Sequence, residues 1–208
     1  MRTLKDKICD RLILVSGYVK YPKALKLVDI LPRYISKTQA VYLCSLAKGK
    51  VLDIGSGNGL STAVMATAGA SVLSFEWFKG IWGVTGEDKG FHDGEFPSTR
   101  EAFKEATNGL DVTLYEGDCL KTIPKLIADG TLTEFSLAFL DVDLYKTTKE
   151  IVRNLIGIMS SESKLLIHDY PCSGIVKAVK ELTVEYPLKI VKEYPILTLE
   201  LLSDKNDR

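Results

Sequence analysis

The sequence predicts an α/β fold: a mostly parallel sheet of seven strands, covered by helices on both faces, with an antiparallel strand at its C-terminal end. Two observations support this prediction. Between Lys50 and Tyr186, short apolar runs alternate with segments of helical periodicity, which is the pattern of successive βαβ units. The closing stretch LKIVKEYPILTLELL instead contains two β segments with Pro195 near the turn, so it is expected to add an antiparallel strand at one edge.

Length and composition point to one ordinary globular domain. The chain has 208 residues, and its 27 basic and 27 acidic residues give no net charge, which disfavours a general nucleic-acid binder. No signal peptide is evident, and no apolar run approaches the ~20 residues of a membrane span. We therefore expect a cytoplasmic protein that binds neither nucleic acid nor membrane.

The four cysteines are far apart and form no CxxC pair, so neither a disulfide framework nor a zinc site is expected. They are Cys9, Cys44, Cys119 and Cys172. A reducing compartment is the simple inference.

The N-terminal segment, residues 1–35, reads as helical pieces broken at Pro22 and Pro32. Eight basic residues stand against three acidic ones in its first 33 positions. We interpret this excess as a solvated helix face, the alternative being a surface for an acidic substrate or partner. The segment is expected to make substrate, lid or dimer contacts, while residues 36–208, with Ser36 as the first helix cap, form the main domain.

The main domain divides into alternating strands and helices. The strands are predicted, in order, at KVLDIG, SVLSFEWF, DVTLYEGD, SLAFLD and SKLLIHDY. The intervening segments are helices at LSTAVMATAGA, EAFKEATNG, KEIVRNLIGIM and GIVKAVKELTVEY, and a short helical turn at KTIPKLIADG. The spacings Ser98–Glu101 and Thr147–Glu150 predict capping boxes that open two of these helices. Residues 79–97 lack periodicity and predict a long loop, often a functional lid.

A glycine-rich loop, VLDIGSGNG, lies between the first strand and its helix. A dinucleotide fingerprint would require glycine at position 60, where this chain has Leu60. An acid followed by GxGxG instead resembles motif I of class I S-adenosylmethionine-dependent methyltransferases. That resemblance implies that the loop holds the cofactor, whose ammonium an acid can engage directly or through water. The loop residues concerned are Asp53, Gly55, Ser56, Gly57 and Gly59.

Four further candidate residues lie at the ends of the next two strands. Glu76 ends the second strand, where a carboxylate can accept hydrogen bonds from both ribose hydroxyls. Trp77 or Phe78 would then pack on the adenine, although Trp77 also fits a core position. Asp118, after the third strand, resembles the acid that reads the adenine amino group in this superfamily, with a turn residue as the alternative.

Three other stretches resemble one family of these enzymes. FLDVDLYKTT, EDKGFHDGEF and IHDYPCSGIVKAVKEL are similar to FxDxDLYxxT, DKGxHxGxF and DDYxxxxGxxxAVxEF of the macrocin O-methyltransferase-like (TylF-type) family. The resemblance runs from about Lys50 to about Tyr186. It implies a Rossmann-like class I methyltransferase fold and S-adenosylmethionine-dependent methylation of a hydroxyl on a small molecule, of the sugar or natural-product type.

The same resemblance implies a divalent-metal site at the tips of the fourth and fifth strands. Asp141 corresponds to a metal ligand that also borders the cofactor, Asp143 to the general base, and His168 with Asp169 to the strand-five pair. Neighbouring strands lie ~4.8 Å apart, so their tips can share one ion. Magnesium or manganese there would lower the pKa of the acceptor hydroxyl.

This sequence departs from the family where the common Asp-Asp is His168-Asp169. Imidazole is a poorer ligand for magnesium and a better one for manganese, iron or zinc. Three alternatives follow. His168 points away and the aspartates suffice for a weak site; the metal differs; or the metal is absent and His168 serves as a base, together with Asp143.

Other activities are open at this point. A methyltransferase acting on RNA or protein is disfavoured by the neutral charge and by DVDL after the fourth strand, and an NAD-dependent oxidoreductase by Leu60. A cofactor-binding protein without transfer activity is a further alternative. Acceptor contacts are expected from the N-terminal helices, the 79–97 loop and a second subunit of a homodimer. Candidate walls, each equally consistent with a core position, are Phe91, Trp82 and Tyr145, and His92 is expected to be a lid or surface residue.

Overall fold

The computed structural model describes residues 4–31, 34–170 and 172–202, with side chains from Arg11 onward. Its strands are β1 (Lys50–Ile54), β2 (Ser71–Glu76), β3 (Val112–Glu116), β4 (Leu137–Leu140), β5 (Lys164–Ile167), β6 (Leu188–Lys192) and β7 (Leu197–Leu201). Its helices are α1 (Leu4–Lys20), α2 (Pro22–Ile30), α3 (Lys37–Leu46), α4 (Leu60–Thr67), α5 (Arg100–Thr107), α6 (Cys119–Ala128), α7 (Tyr145–Ile156) and α8 (Ser173–Glu185).

All seven strands form one sheet in the order β3-β2-β1-β4-β5-β7-β6. Strands β1 to β5 pair in parallel, whereas β7 is antiparallel to both of its neighbours. The antiparallel C-terminal strand is confirmed, but it lies one position inside the edge. Its residues 197–199 are buried, while β6 exposes three of its five residues, so β6 is the strand that can face solvent.

Side chains alternate between two cores, one on each face of the sheet. Leu52 and Ile54 of β1 face a core that α6, α7 and α8 complete. Val51, on the opposite side of the same strand, belongs to a core with α2, α3 and α4. Because both faces are covered, the central strand β4 is apolar and buried throughout, whereas the edge strand β3 is partly exposed.

The N-terminal helices pack on the second of these cores. Pro22 begins α2, which confirms the predicted break, whereas Pro32 lies outside the described residues. Ala24 and Val28 are buried in the core that contains Val51. Helix α2 therefore packs against the face of the sheet that Val51 occupies.

The cap of α3 confirms the prediction for Ser36. The Ser36 hydroxyl accepts a hydrogen bond from the Gln39 amide N–H at 3.2 Å, and the Gln39 side-chain oxygen accepts one from Ser36 N–H at 2.7 Å. This reciprocal pair is a capping box, and it fixes the orientation of the Gln39 side chain.

The two predicted capping boxes are both wrong in detail. Helix α5 is capped by Thr99 rather than Ser98. Helix α7 begins at Tyr145, so Thr147, the predicted cap, lies inside the helix. The reason is a distant carboxylate: Asp88 of the long loop accepts a hydrogen bond from Tyr145 N–H at 2.7 Å and caps the helix in place of a local hydroxyl.

Two further elements differ from the prediction. The segment predicted as a short helical turn is the ten-residue helix α6, because Asp118 accepts a hydrogen bond from Leu120 N–H and starts it two residues earlier. Strand β2 ends at Glu76, since Phe78 has a φ of 65° that a strand does not allow. Residues 79–97 contain no helix or strand, as predicted.

Within the described ranges, no helix combines the length and the apolar character needed to cross a membrane. The three cysteines with described side chains, Cys44, Cys119 and Cys172, are free thiols, as the sequence predicted. Cys9 has no described side chain.

Asp88 is the anchor that joins the long loop to α7. It is 2% exposed, and its second oxygen accepts hydrogen bonds from the Thr85 amide at 2.9 Å and the Thr85 hydroxyl at 2.6 Å. A Cβ added to Gly174 of α8 would lie 2.3 Å from the Asp88 carboxylate, so the aspartate is enclosed on that side as well.

We predict that Asp88→Ala lowers the free energy of unfolding by about 2–3 kcal/mol, because a helix cap is lost and buried donors lose their acceptor. Urea denaturation measures this change. Asp93→Ala is the matched control: Asp93 also accepts hydrogen bonds from two backbone N–H groups of the same loop, but it is exposed. Equal losses in the two variants would contradict the assignment of Asp88 as the anchor.

Candidate active site

A cavity of about 760 Å³ lies at the carboxyl ends of the parallel strands. The residues that directly follow these strands line it, including Gly55, Gly117, Asp141 and His168. Strand order reverses between β1 and β4, and such a switch point is where open α/β sheets bind their ligands.

The glycine loop shapes one end of the cavity. Gly55 has a φ of 84°, and a Cβ there would lie 2.0 Å from the Asp141 carbonyl oxygen, so only glycine lets the tips of β1 and β4 meet. Gly57, with a φ of 53°, has open space beside it and lines the cavity. The loop therefore presents bare backbone to a ligand, as the sequence predicted.

Glu76 lines the same end and is held rigidly. One of its carboxylate oxygens accepts hydrogen bonds from Trp77 N–H at 2.9 Å and Phe78 N–H at 2.7 Å, and the other accepts one from Gly57 N–H at 2.6 Å. Burial raises the pKa of Glu76, and these bonds and one from Ser98 partly offset the rise. The carboxylate is thus positioned before any ligand arrives.

Trp77, and not Phe78, is the aromatic residue that borders the cavity. Its indole N–H donates to the Gly80 carbonyl at 2.6 Å, whereas Phe78 packs edge-to-face on Phe103. Asp118 both caps α6 and lines the cavity, so the two roles considered for it are compatible in space.

Two of the predicted cofactor residues, Asp53 and Gly59, do not line the cavity. Asp53 is fully buried, and one of its oxygens accepts hydrogen bonds from the hydroxyls of Ser61, at 2.8 Å, and Thr62. Its other oxygen has no hydrogen-bond partner among the residues that the structure describes. Gly59 caps α4 with a φ of 85°, and a Cβ there would lie 3.0 Å from the Phe103 ring. Both residues support the loop from behind.

The other end of the cavity holds Asp141, Asp143, His168 and Asp169 together. His168 Nδ1 lies 2.9 Å from Asp141 Oδ1 and 2.6 Å from Asp169 Oδ2. His168 therefore does not point away from the aspartates, which rules out the first of the three alternatives left by the sequence. One ligand atom each from Asp141, His168 and Asp169 lie within 4.8 Å of one another.

These four groups determine each other's ionisation. Burial alone would lower the pKa of His168, but Asp141 and Asp169 outweigh it and raise that pKa to about 11. Burial and a hydrogen bond to Asp169 raise the pKa of Asp143 to about 9. Burial opposes ionisation of Asp169 too, but the bonds from His168 and Asp143 lower its pKa to about 2. Asp143 and Asp169 thus share one proton.

The backbone is strained where the cluster is built. Asp143 has a φ of 59° and Asp169 a φ of 53°, a left-handed conformation that costs roughly 1–3 kcal/mol for a residue other than glycine. The strain persists because Asp143 bonds to Asp169, which in turn bonds to His168.

Gln39 is a site residue that the sequence did not identify. Its side-chain nitrogen lies 3.1 Å from His168 Nε2. The spacing Ser36–Gln39 signals a helix cap, but no local pattern connects position 39 with position 168. The contact exists because α3 begins beside the tip of β5.

Aromatic side chains form the mouth of the cavity. Phe96 lies edge-to-face with both Tyr34 and Phe91, at centroid distances of 6.3 and 6.4 Å, and Trp82 is 62% exposed beside them. Trp82 and Phe91 are therefore walls, as the sequence proposed.

Two other residues of the region lie outside the cavity lining. Tyr145 does not form a wall, because its hydroxyl donates to Glu181 at 2.7 Å and its ring packs beneath Lys177 of α8. His92 is an exposed loop residue, with its ring 3.3 Å from Glu95.

No protein-family model matches this chain, and no curated protein sequence does. Solved structures do match. A calicheamicin methyltransferase is 18% identical with a TM-score of 0.65, covering 98% of this chain and 95% of that one. A methyltransferase from Podospora anserina, bound to SAH, is 18% identical with a TM-score of 0.64, covering 98% and 99%.

A third similar structure is the O-methyltransferase TomG from Streptomyces achromogenes, which is involved in tomaymycin synthesis and was solved with SAM. It is 16% identical with a TM-score of 0.63, and the alignment covers 97% of this chain and 100% of that one. At identities this low, the structural similarity establishes the fold alone. It is the Rossmann-like methyltransferase fold predicted from the sequence.

Asp53 gives the fold a specific dependence on pH. Burial raises its pKa from 3.8 to about 7, so the folded protein binds this proton more tightly than the unfolded chain. Asp53 therefore makes its full contribution to the free energy of unfolding below about pH 4. This contribution, up to about 4 kcal/mol, is lost as the pH rises through about 7.

We predict that Asp53→Asn removes this loss, because the amide does not titrate. The free energy of unfolding of the variant, measured relative to that of the wild type, then increases between pH 4.5 and pH 8. Urea denaturation at several pH values measures the difference, and Asp111→Asn, at an exposed carboxyl, is the control. A difference between Asp53→Asn and wild type that does not change with pH would contradict the raised pKa.

Proposed function

We propose that this protein is an S-adenosylmethionine-dependent O-methyltransferase that acts on a hydroxyl of a small molecule. One observation carries the proposal: a glycine loop with a fixed carboxylate and a cluster of proton-binding side chains line opposite ends of one cavity. The first is suited to a nucleoside with an amino-acid tail, and the second to a hydroxyl that must lose its proton. The solved structures of the same fold that carry SAM or SAH support this assignment.

The residues present fit that cofactor. Glu76 offers a carboxylate to a ribose diol, Trp77 offers a ring face to adenine, and Asp118 offers an acceptor to the adenine amino group. The buried Asp53 oxygen without a partner is an acceptor that an ordered water, bonded in turn to the cofactor ammonium, would complete. The open space beside Gly57 leaves room for the ligand to touch backbone.

The proposed reaction forms a bond between the acceptor oxygen and a methyl carbon and breaks the bond from that carbon to sulfur, whose electron pair stays on sulfur. The cofactor supplies the electrophilic methyl group. The hydroxyl proton goes to the protein. Asp143 is the base predicted from the sequence. Because its pKa is raised to about 9, it accepts the hydroxyl proton in its ionised form, whose share increases as the pH rises.

The mouth of the cavity indicates the acceptor class. Tyr34, Trp82, Phe91 and Phe96 are aromatic and lie together at the opening. Such rings pack on the apolar face of a sugar or on a planar ring system. We therefore propose an acceptor that carries a hydroxylated ring, consistent with the sugar or natural-product type inferred from the sequence.

A second function, a cofactor-binding protein without transfer activity, shares the first half of this cavity. The cluster at its other end favours the enzyme, because three strand-tip carboxyls and a histidine are costly to bury without a chemical use. Cofactor binding alone does not separate the two functions, whereas methyl transfer does.

We predict that S-adenosylhomocysteine binds the wild type with a dissociation constant of about 1–50 μM and binds Glu76→Gln at least tenfold more weakly, since a bond to a charged acceptor is lost. Isothermal titration calorimetry measures both. Glu116→Gln is the control: Glu116 pairs with Glu76 in the sheet register but is exposed and bonds to Arg100. No binding to the wild type would refute the proposed function.

We predict that Asp143→Asn and Asp169→Asn each reduce methyl transfer at least about 100-fold while leaving S-adenosylhomocysteine affinity within about threefold, because they remove the proton acceptor and not the cofactor contacts. The assay is transfer of a tritium-labelled methyl group to a panel of sugars and phenols. Asp93→Asn, in the exposed loop, is the control. Near wild-type transfer by both variants would show that another group takes the proton.

A further inference from the structure

The position between Asp141 and Asp169 is already filled by a side chain. His168 Nδ1 lies there at 2.9 and 2.6 Å from the two carboxylates, and the His168 side chain is only 11% exposed. The resemblance to the TylF-type family implies a divalent cation at this place, held by side chains from the same two strand tips. Whether a cation fits there depends on whether Nδ1 carries a hydrogen atom or has a lone pair for the metal.

Nδ1 must carry hydrogen. An ionised carboxylate has only acceptors, so a nitrogen 2.6 Å from Asp169 is a donor. A nitrogen that donates a hydrogen bond has no lone pair for a metal. His168 could bind a cation through Nδ1 only by giving up its bonds to both carboxylates.

Gln39 opposes that change from the other side of the ring. The capping box directs the Gln39 oxygen to Ser36 N–H, so the Gln39 NH2 group faces His168 Nε2 at 3.1 Å and lies 3.5 Å from the Pro195 carbonyl. An NH2 group only donates, so Nε2 accepts this bond whenever the ring is neutral. A ring that bound metal through Nδ1 would place N–H at Nε2, against the Gln39 NH2.

Turning the Gln39 amide over would relieve that conflict, but it would break the cap of α3. A ring protonated on both nitrogens would require the same rotation, and it would still carry hydrogen on Nδ1. In each arrangement that keeps Nδ1 against both carboxylates, Asp141, His168 and Asp169 therefore satisfy one another's hydrogen bonds without a cation. The three side chains do not fit one.

We propose that the Nδ1–H group of His168 takes the place of a divalent cation in this chain, so that Asp141 and Asp169 are held together without a metal. Gln39 is the positioning residue that sets the ring. Metal-free methyl transfer rests on the proposed function, with the hydroxyl proton passing to the ionised Asp143. The absence of metal binding does not rest on it.

The first test is metal binding by chelator-treated, desalted protein. Calorimetry and thermal denaturation with MgCl2, MnCl2 and ZnCl2 are expected to show no saturable binding at the cluster and a Tm shift below about 1 °C at about 5 mM metal. Saturable binding of any of the three that is lost in Asp141→Asn would overturn the proposal.

The second test restores the carboxylate. His168→Asp is expected to gain saturable Mg²⁺ or Mn²⁺ binding and a metal-dependent rise in Tm of about 2 °C or more, because three carboxylates then need a cation. His168→Asn introduces a side chain of the same shape as His168→Asp does, but without the charge. It is expected to gain neither metal binding nor the rise in Tm. Metal binding by both variants or by neither would count against His168 as the cation's substitute.

A third measurement works on the wild type alone. The chain has two histidines, so imidazole ¹⁵N spectra are simple, and His92→Gln identifies the His168 signals. A proton on Nδ1, with or without one on Nε2, is the expected result, and a ring protonated only on Nε2 would overturn the proposal. Failure to bind S-adenosylhomocysteine would refute the proposed function while these three readouts still decide the role of His168.

Discussion

The burial of three aspartates and one histidine at the tips of two adjacent strands is the constraint on which the site depends. Removing such groups from water costs several kcal/mol each unless they bind one another. Here Asp169 accepts from His168 and from Asp143, and Asp141 also accepts from His168. The rigid parallel sheet makes this possible, because β4 and β5 end side by side and hold the groups at hydrogen-bonding distance. The left-handed backbone at Asp143 is tolerated for the same reason.

The rest of the structure holds both ends of the cavity against this cluster. Gly55 lets the loop after β1 touch the tip of β4, so the cofactor end and the acceptor end share one wall. The long loop is tied at its start by Glu76, which binds Trp77 and Phe78, and in its middle by Asp88, which caps α7. Its aromatic residues therefore stand at a fixed place over the cavity. Loop position, helix start and site geometry depend on the same few carboxylates.

The sequence predicted what local pattern encodes, namely the strands, most helices, the glycine loop and the acids at strand ends. It failed where a contact joins distant segments. Asp88 caps α7 from 57 positions away in the sequence. The capping box predicted from the nearer Thr147 is therefore wrong. Gln39 meets His168 across 129 positions, and nothing near either residue signals it. The position of β7 between β5 and β6 depends on which of the last two strands is the more buried. The periodicity of the sequence does not reveal this. Tyr145 packs away from the cavity because α8 offers Glu181 and Lys177 as partners.

The proposed reaction requires the cofactor to lie between Glu76 and the cluster, with its sulfur directed at Asp143 and Asp169. A crystal structure of the protein grown with S-adenosylhomocysteine and MnCl2, with anomalous data for manganese, tests this most directly. We expect the ribose on Glu76, the sulfur facing the Asp143–Asp169 pair, and His168 between Asp141 and Asp169 with no manganese peak. A ligand bound elsewhere would contradict the assigned function, and a manganese ion between the two carboxylates, with His168 displaced or coordinated, would contradict the role given to its ring.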